Sequence, residues 1–568
     1  PGGCRAFPCG TGSIREWSKR EIAALAGDPP LPGSDTGGKI MSDRRNNTGT
    51  GWSWGLLVLL VLLATGVWLY TYRATFLAIP YNDSMDYASM GRNIARGQGI
   101  TSAYMTPLGL SIHPFPQPNL WRAPLWPLIL GLAQSFLPST DPVVAGVTGL
   151  FYLGGLVLTF LLARQLFGTG VATASALAYI FSAQNLHYSS SGLTEPLALF
   201  LLLLWFYLLV LPGCRSPRGD YLVGAAGGLF YLARYNALVF MPLVGFYWWY
   251  QRREEGWRPL ARYLAGFILP VSPWFIRNLY LFGSPLFSLQ QYEIAMFNWV
   301  NPAYTLYMVP SPPDVFGFIL THPRVLLSKI KGGLLTFAGD FFTPDFSGVA
   351  LALLVLALVA FFLPLDRRAK ELYLLAAGCF LVQLGALAVI HYIPRLFFIF
   401  LPFYIIFGLA ALKWLLDKIC GHRQALAVFL LLLLTLPLVG ANLPDWEEPN
   451  VYIRLADQFG EPLADLARLV GEDEVVVSND GHLVAWYSDR PAVKLPIHPD
   501  MIRELEKHAP ITAIFISHRI TWNTPEMDVA WWEIFKEPPE EILDFKLYRV
   551  YENGTLVYLK EKGTVGAL

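Results

Sequence analysis

Hydrophobic residues gather in about eleven long runs along this chain, with short polar segments between them. A helix needs about 20 apolar residues to cross the hydrocarbon core of a membrane, and most of the runs approach that length. The pattern predicts an all-α polytopic membrane domain with about 11 transmembrane helices. The runs are 55–79, 143–163, 170–187, 193–211, 221–233, 236–250, 260–280, 347–364, 371–390, 396–412 and 424–441.

Three short apolar segments modify this pattern locally. The runs 221–233 and 236–250 are too short to span a bilayer comfortably, and they meet at Arg234. We expect them to form a hairpin whose tip lies below the membrane surface. The segment 124–137 is also short and is predicted to be an interfacial or re-entrant helix, part of a helical first outer loop.

After residue 442 charged residues return and the apolar segments become short. Alternation of strand-like and helical patterns is typical of an α/β domain. We therefore divide the chain into a transmembrane domain at 51–442 and a small C-terminal α/β domain at 443–568. The strand-like segments are 474–478, 492–495, 512–517 and 545–551, and the helical patterns lie near 451–470 and 499–508.

Residues 1–50 show no periodic apolar pattern, and the chain begins with Pro1. Residues 1–40 are rich in Gly and Pro, and Met41 opens a polar stretch just before the first apolar run. We interpret this region as a disordered or mis-called extension, with translation beginning at Met41. Cys4 and Cys9 supply only half of a zinc site.

Composition supports a membrane protein. Hydrophobic residues make up 54% of the chain and charged residues only 15%, whereas soluble proteins carry about 25% charged residues. The formal net charge of zero gives no support to nucleic-acid binding. No cysteine follows Cys420, so the C-terminal domain has no disulfide to form.

The Lys and Arg residues between the runs indicate the orientation. They fall on one side if the first helix runs outward and 124–137 does not cross, and the positive-inside rule makes that side cytoplasmic. This predicts a cell (inner) membrane protein with a cytoplasmic N-terminus. The outer side then receives the loops 80–122 and 281–346, the turn 391–395 and the C-terminal domain.

Ionisable residues are scarce in the middles of the spans and collect at the predicted outer ends. Transporters usually place such groups at mid-membrane depth, so a non-enzymatic lipid flippase or transporter is the weaker alternative. Acids and isolated arginines on one membrane face suit chemistry on a lipid phosphate. These candidates are Asp83, Asp86, Arg122, His187, Glu195, Arg234, Arg277, His391 and Arg395.

Local helix chemistry offers a second explanation for the acids. Asp83 precedes a predicted helix at 84–96, and Asp is a favoured N-cap. Asp86, three residues later, would then serve only the helix dipole. Glu195, with Pro196 next to it, opens another helix as a first-turn acid.

Six segments resemble, in order and spacing, those of GT-C glycosyltransferases. The resemblance covers about 55–415 and is to the bacterial relatives of protein O-mannosyltransferases and of the lipid A aminoarabinose transferase, a group similar to glycosyltransferase family 39. The segments are IPYNDSMDYASMGRNIARGQGI, NLWRAPLWPLILGL, SSSGLTEPLALFLLLL, LFYLARYNALVFMPLV, PVSPWFIRNLYLFGSPL and HYIPRLFFIFLPF.

The resemblance implies an enzyme that moves a sugar from a polyprenyl-phosphate donor to a lipid, glycan or protein acceptor outside the cytoplasm, with inversion. Asp83 occupies the position of the catalytic acid, where a carboxylate can accept the acceptor's proton. Arg234 and Arg395 are the favoured ligands of the donor phosphate, with Arg122 and Arg277 as further candidates. A polysaccharide polymerase or ligase with a diphosphate-linked glycan donor is the alternative enzyme.

Glu195 matches a second outer-loop acid that helps some members of this superfamily to bind a divalent metal. Oxygen ligands from Asp83 and Glu195 would suit Mg²⁺ or Mn²⁺, and addition of His187 or His391 would favour zinc. A lone histidine at a membrane boundary is more often simply interfacial.

The topology is testable with a reporter fused after residue 568. We expect a reporter that is active only outside the cytoplasm to give signal there, because the Lys and Arg distribution places the C-terminal domain outside. Signal from a reporter that works only in the cytoplasm would contradict this orientation.

Overall fold

The computed structural model describes residues 50–440, 454–520 and 529–561. The predictions made for residues 1–49, including the start at Met41 and the cysteine pair, lie outside these residues. Internal contacts divide the chain into two units, Pro1–Trp54 and Gly55–Leu568. The second unit contains both the apolar helices and the C-terminal sheet.

The region 50–440 forms helices joined by loops, with one short strand among the loops. Its α-helices are α1 Thr50–Thr75, α2 Asn82–Ala95, α3 Pro107–Ile112, α4 Leu125–Gln134, α5 Asp141–Phe167, α6 Thr169–Phe181, α7 Ala183–Ser189, α8 Glu195–Val210, α9 Pro217–Ala233, α10 Met241–Gln251, α11 Arg258–Phe282, α12 Val315–Thr321, α13 Pro323–Asp340, α14 Pro344–Ser347, α15 Leu351–Val359, α16 Arg367–Val389, α17 Leu401–Cys420 and α18 Gln424–Gly440.

Each of the predicted apolar runs contains a helix, but the number of spans stays a prediction. Four helices within the described ranges are long and apolar enough to cross a membrane: Ser53–Thr75, Asp141–Phe167, Arg367–Val389 and Pro394–Cys420. Others are shorter or broken, as at Ser182, where the predicted run 170–187 divides into α6 and α7. The fold is that of a membrane protein.

The short segments are helical, while their position relative to a membrane stays a prediction. Helices α9 and α10 form the predicted hairpin, joined by the 3₁₀ turn Tyr235–Val239 with Arg234 at the tip. Helix α4, in the segment predicted not to cross, packs against α2 of the first outer loop. Close approach of α9 to α11 requires glycine, since a Cβ at Gly224 would lie 2.0 Å from the Tyr263 carbonyl oxygen.

The C-terminal region forms a mixed sheet, and all four predicted strands are present. Elements after residue 453 are α19 Arg454–Leu469, β2 Val475–Ser478, α20 Gly481–Leu483, β3 Ala492–Lys494, α21 Ile502–Leu505, β4 Ile511–Ile516, α22 Val529–Lys536, β5 Glu541–Ile542, β6 Phe545–Val550 and β7 Leu556–Lys560. Strands β2, β3 and β4 are parallel, while β5, β6 and β7 add antiparallel pairs. Strand β2 is wholly buried, as its run of valines predicts.

The loop 80–122, which is predicted to lie outside the cytoplasm, supplies one edge of this sheet. Its strand β1, Tyr104–Met105, pairs in parallel with β3, so the strand order is β1-β3-β2-β4-β7-β6-β5. Sequence patterns do not reveal β1, because it has only two residues and its partner strand, β3, lies almost 400 residues later in the chain. The loop and the sheet are therefore built together, and the domain boundary near residue 442 stays a prediction.

Polar contacts fasten the C-terminal domain to the helical domain. Arg92 of α2 donates to the carbonyl oxygens of Trp486 at 2.8 Å and Ala485 at 2.5 Å. Asp141, at the start of α5, accepts from the indole of Trp486 at 2.6 Å and from the hydroxyl of Tyr487 at 2.8 Å. Helix α2 therefore carries both a contact with the C-terminal domain, through Arg92, and two acids, Asp83 and Asp86.

Candidate active site

Two acids lie near the start of α2. Tyr81 occupies the N-cap position and makes no side-chain capping bond, so the interpretation of Asp83 as an N-cap is wrong. Asp83 lies within the first turn, and Asp86 follows three residues later on the same face. Asp86 is buried and bonded to an arginine, so it is not merely an acid serving the helix dipole.

Arg122 joins these two acids. Its Nη2 donates to Asp83 Oδ1 at 2.7 Å, and its Nε donates to Asp86 Oδ2 at 2.6 Å. The side chain of Asn119 accepts from the Arg122 amide at 2.9 Å and donates to the Arg122 carbonyl at 2.7 Å. This side-chain-to-backbone turn fixes the backbone that carries the guanidinium.

Glu195, Arg234 and Arg395 form the other half of the site. Glu195 is fully buried, and its Oε1 lies 2.7 Å from Arg234 Nη2, which also donates to Thr194 at 2.9 Å. Arg395 pairs with Asp83, and its Nε lies 3.6 Å from Glu195 Oε1. Arg395 therefore links the two halves. We call Asp83, Arg122, Glu195, Arg234 and Arg395 the acid–arginine cluster.

Chain reversals bring these charges to one end of the helices. Glu195 opens α8 with Pro196 at the next position, the helix start that the sequence predicts. Arg234 ends α9, and Arg395 lies in the 3₁₀ helix Pro394–Phe400 that precedes α17. The three residues come from separate turns, so only the packing of the helices places them together.

The acid–arginine cluster lines a cavity of 380 Å³, a volume typical of small-ligand sites. His391 also lines it, as does Glu293. The other candidates lie elsewhere: the guanidinium of Arg277 packs 4.4 Å from the Trp274 ring centre, away from the cavity lining. His187 is likewise outside the lining, where its Nε2 contacts the Tyr81 hydroxyl, and Asp86 lies behind Arg122.

The pKa values of the two acids on α2 are shifted in opposite directions. Burial alone would raise the pKa of Asp83, but the charges of Arg122 and Arg395 outweigh it and lower that pKa below its ordinary value. For Asp86 burial prevails and raises the pKa, because Arg122 offsets it only in part. Asp83 is therefore a carboxylate at every physiological pH.

Glu293 is the site residue that sequence reasoning missed. It belongs to the 3₁₀ segment Leu289–Ala295 in the second long outer loop, and burial raises its pKa to about 7. No periodicity or motif marks it within the loop 281–346. Burial and the charge of Lys329 lower the pKa of the neighbouring His391 to about 4, so that imidazole is neutral.

The residues present do not fit a divalent metal in this arrangement. No group of three or more His, Cys, Asp or Glu side chains with metal-binding geometry exists within the described ranges. Both oxygens of Asp83 face arginines, Arg122 and Arg395, and Glu195 contacts Arg395 and one further arginine, Arg234. A metal at Asp83 and Glu195 stays a prediction, and no chemical step below depends on one.

Similarity to solved structures places this arrangement in a known fold. Archaeoglobus fulgidus oligosaccharyltransferase AglB, with an inhibitory peptide and a dolichol-phosphate, superposes with a TM-score of 0.53 at 12% identity, over 90% of this chain and 75% of that one. ArnT from Cupriavidus metallidurans, bound to undecaprenyl phosphate, gives a TM-score of 0.51 at 14% identity, over 91% of this chain and 100% of that one. The chain has the GT-C fold.

This finding confirms the expected fold, while identities this low say nothing about the substrate. The A. fulgidus enzyme has also been solved with Zn and sulfate, and that structure matches with a TM-score of 0.52 at 13% identity, over 89% of this chain and 73% of that one. A Domain of unknown function (DUF8201) matches residues 140–402. No curated protein matches the chain.

Replacement of Arg122 by Met tests the buried charges without an activity assay. The change leaves Asp86 buried and unpaired, which typically costs about 3–5 kcal/mol. We expect a clear drop in the unfolding temperature of the purified protein in detergent, partly restored when Asp86→Asn is added. Arg96→Met removes a half-exposed arginine at the C-terminal end of α2, where it pairs with Asp489, and should cost at most about 1 kcal/mol. Equal losses in the two single variants would contradict this description.

Proposed function

We propose that this chain is an integral-membrane glycosyltransferase that transfers a sugar from a polyprenyl-phosphate donor to a lipid, glycan or protein acceptor outside the cytoplasm, with inversion. One observation carries the proposal: two carboxylates and three arginines from separate parts of the chain converge on one cavity. The GT-C fold supports it, and so does the presence of polyprenyl phosphates in the named ArnT and AglB structures.

The arginines suit a donor phosphate. A guanidinium presents a planar fork to phosphate oxygens and keeps its charge, so it can stabilise the negative charge that grows on the leaving phosphate. Arg395 and Arg234 line the cavity and lie beside Glu195 at the N-terminus of α8, where the positive end of the helix dipole also favours an anion. Arg122 pairs with two acids, so it is the least available of the three arginines to bind a phosphate.

Asp83 suits the acceptor side of the reaction. In the transfer, the acceptor hydroxyl attacks the anomeric carbon, the bond from that carbon to the phosphate oxygen breaks, and the hydroxyl proton moves to a base. Arg395 keeps the pKa of Asp83 low in the absence of donor. A phosphate that draws Arg395 towards itself would raise the pKa of Asp83 and make it a better base when the donor is bound.

The alternative enzyme, a polysaccharide polymerase or ligase, differs from the proposed one in its donor, which is a diphosphate-linked glycan. The lipid that the enzyme releases distinguishes the two enzymes. A monophosphate-linked donor would release polyprenyl phosphate, whereas a diphosphate-linked donor would release polyprenyl diphosphate. A flippase or transporter would form no new glycosidic bond.

Asp83→Asn tests the base. Asn keeps the shape and hydrogen-bonding oxygen of Asp83 but cannot accept a proton at neutral pH, so sugar transfer should fall about 10²–10⁴-fold. The variant should reach the membrane in normal amounts, because Asn keeps an oxygen that accepts from the arginines, while Asp86 and Glu195 still pair with Arg122 and Arg234. Transfer is measured in membranes with radiolabelled polyprenyl-phosphate sugars.

Asp500→Asn is the matched control, since its carboxylate is 74% exposed and remote from the cavity lining. Asp86→Asn is unsuitable as a neutral control because Asp86 is buried against Arg122. Near wild-type transfer by Asp83→Asn would show that Asp83 is not the base.

Arg395→Ala and Arg234→Ala test the phosphate site. Each should weaken donor use by about 1.5–3 kcal/mol, the size of a charge-assisted hydrogen bond, and Lys should restore only part because the planar fork is lost. Steady-state kinetics with varied donor measure this loss. Arg277→Ala removes an arginine outside the cavity and should leave donor use unchanged. Unaltered kinetics in both cavity variants would place the phosphate elsewhere.

A further inference from the structure

Glu293 occupies a different chemical environment from the acids of the acid–arginine cluster, although it lines the same cavity. Its side chain is almost fully buried, and the Tyr307 hydroxyl donates to its Oε1 at 2.9 Å. Its other oxygen lies 3.8 Å from Nδ1 of His391, an imidazole that is neutral at physiological pH. No arginine or lysine side chain within the described ranges forms an ion pair with this carboxyl group.

Burial without a cationic partner gives Glu293 a dual hydrogen-bonding capacity. With a pKa raised to about 7 by burial, the carboxyl exists in both protonation states near neutral pH. A protonated carboxyl donates one hydrogen bond and accepts others, whereas a carboxylate only accepts. Such a group matches sugar hydroxyls, which also donate and accept.

The loop around Glu293 is held in place by unusual contacts. Lys329 donates its ammonium group to the backbone carbonyls of Glu293 at 2.6 Å and Ile294 at 3.1 Å. Phe297 has a φ of 59°, a costly conformation for a residue with a bulky side chain, and its ring stacks on His391 with a 3.5 Å centroid separation. Strain of this kind persists where surrounding contacts enforce it, and here it orders the cavity wall.

The wall beside Glu293 has the composition of a sugar site. Uncharged hydrogen-bonding side chains combine with an aromatic ring there, as in many small-molecule sites. These cavity-lining residues are Asn236, Ser288, Gln290, Gln291 and Tyr304.

Charge selects the kind of sugar. The carboxyl of Glu293 interacts electrostatically with Arg122, Lys329 and Asp83, so it lies within range of both cations and an acid. A charged sugar of either sign would meet both like and opposite charges there, so it would gain no net attraction while losing the hydration of its charge. A neutral, hydroxyl-rich sugar avoids the cost of moving a charge out of water.

We infer that Glu293 binds hydroxyl groups of a neutral donor sugar and so determines which loaded lipid the enzyme accepts. The inference rests on the proposed function, because the sugar is covalently attached to the phosphate that the arginines would hold. Glu293 then recognises the sugar, and the acid–arginine cluster recognises the phosphate. A site built to hydrogen-bond a hydroxyl discriminates strongly against ligands that lack it.

The test compares bare and sugar-loaded lipids in equilibrium binding to the full-length protein in nanodiscs. The probes are undecaprenyl phosphate alone and undecaprenyl phosphate carrying glucose, mannose, galactose or glucosamine. We expect at least one neutral sugar to increase wild-type affinity about tenfold over the bare lipid, the value of a strong hydrogen bond. Glucosamine should give no such increase.

Glu293→Met should abolish this increase, because a thioether cannot donate a hydrogen bond and accepts only weakly, whereas Gln would still do both. The affinity of this variant for bare undecaprenyl phosphate should be unchanged, which also shows that the variant is folded. Glu254→Met, at an exposed glutamate remote from the cavity lining, is the matched control and should retain the full increase. The inference is overturned if Glu293→Met keeps the increase, if it weakens bare-lipid binding equally, if no neutral sugar strengthens binding, or if glucosamine does so equally.

Failure of the proposed function gives a different result. Arg395→Ala should weaken binding of bare and loaded lipids together, because it removes a ligand of the phosphate that they share. If Arg395→Ala and Arg234→Ala both bind bare undecaprenyl phosphate as the wild type does, the phosphate site is wrong. Loss of the sugar-dependent increase in Glu293→Met alone would still support Glu293 as a sugar ligand.

Discussion

The guanidinium of Arg395 lies between the carboxylates of Asp83 and Glu195, and the geometry of the site depends on this shared pairing. An ionised group out of water is costly unless an opposite charge lies beside it. Arg122 and Arg234 complete the pairing on either side. Each acid thereby fixes the position of an arginine, and these ion pairs connect α2, α8 and the segment before α17.

This pairing describes the site before a ligand enters it. With Asp86 included, three arginines face three carboxyl groups, so the arginines have no excess charge to offer. A phosphate must therefore compete with an acid for its arginine. The bond between Asp83 and Arg395 is the natural one to exchange, since both side chains are partly exposed to the cavity whereas Glu195 is fully buried. Binding of the donor phosphate to Arg395 would then free Asp83 to act as the base in the same step.

The C-terminal domain takes part in the same construction. Strand β1 of the first outer loop pairs with β3, and the ring of Tyr104 on β1 stacks on His482 at 3.5 Å. Burial lowers the pKa of His482 to about 3, and its ring interacts electrostatically with Asp83 and Arg122. The sheet thus supports the loop that carries Asp83, which gives a physical reason for a soluble domain to follow a helical membrane domain in one chain.

Sequence alone determined the elements and most of the charged candidates. Apolar runs must become helices in a membrane because their backbone groups have no other partners there, and the resemblance singled out Asp83, Glu195 and the arginines. It also included Arg277, which packs against Trp274, and it missed Glu293. Helix periodicity is local, whereas convergence of residues hundreds of positions apart depends on how helices pack. Burial and neighbouring charges, which set the pKa of each acid, exist only after that packing, so tertiary structure alone decided which charges meet.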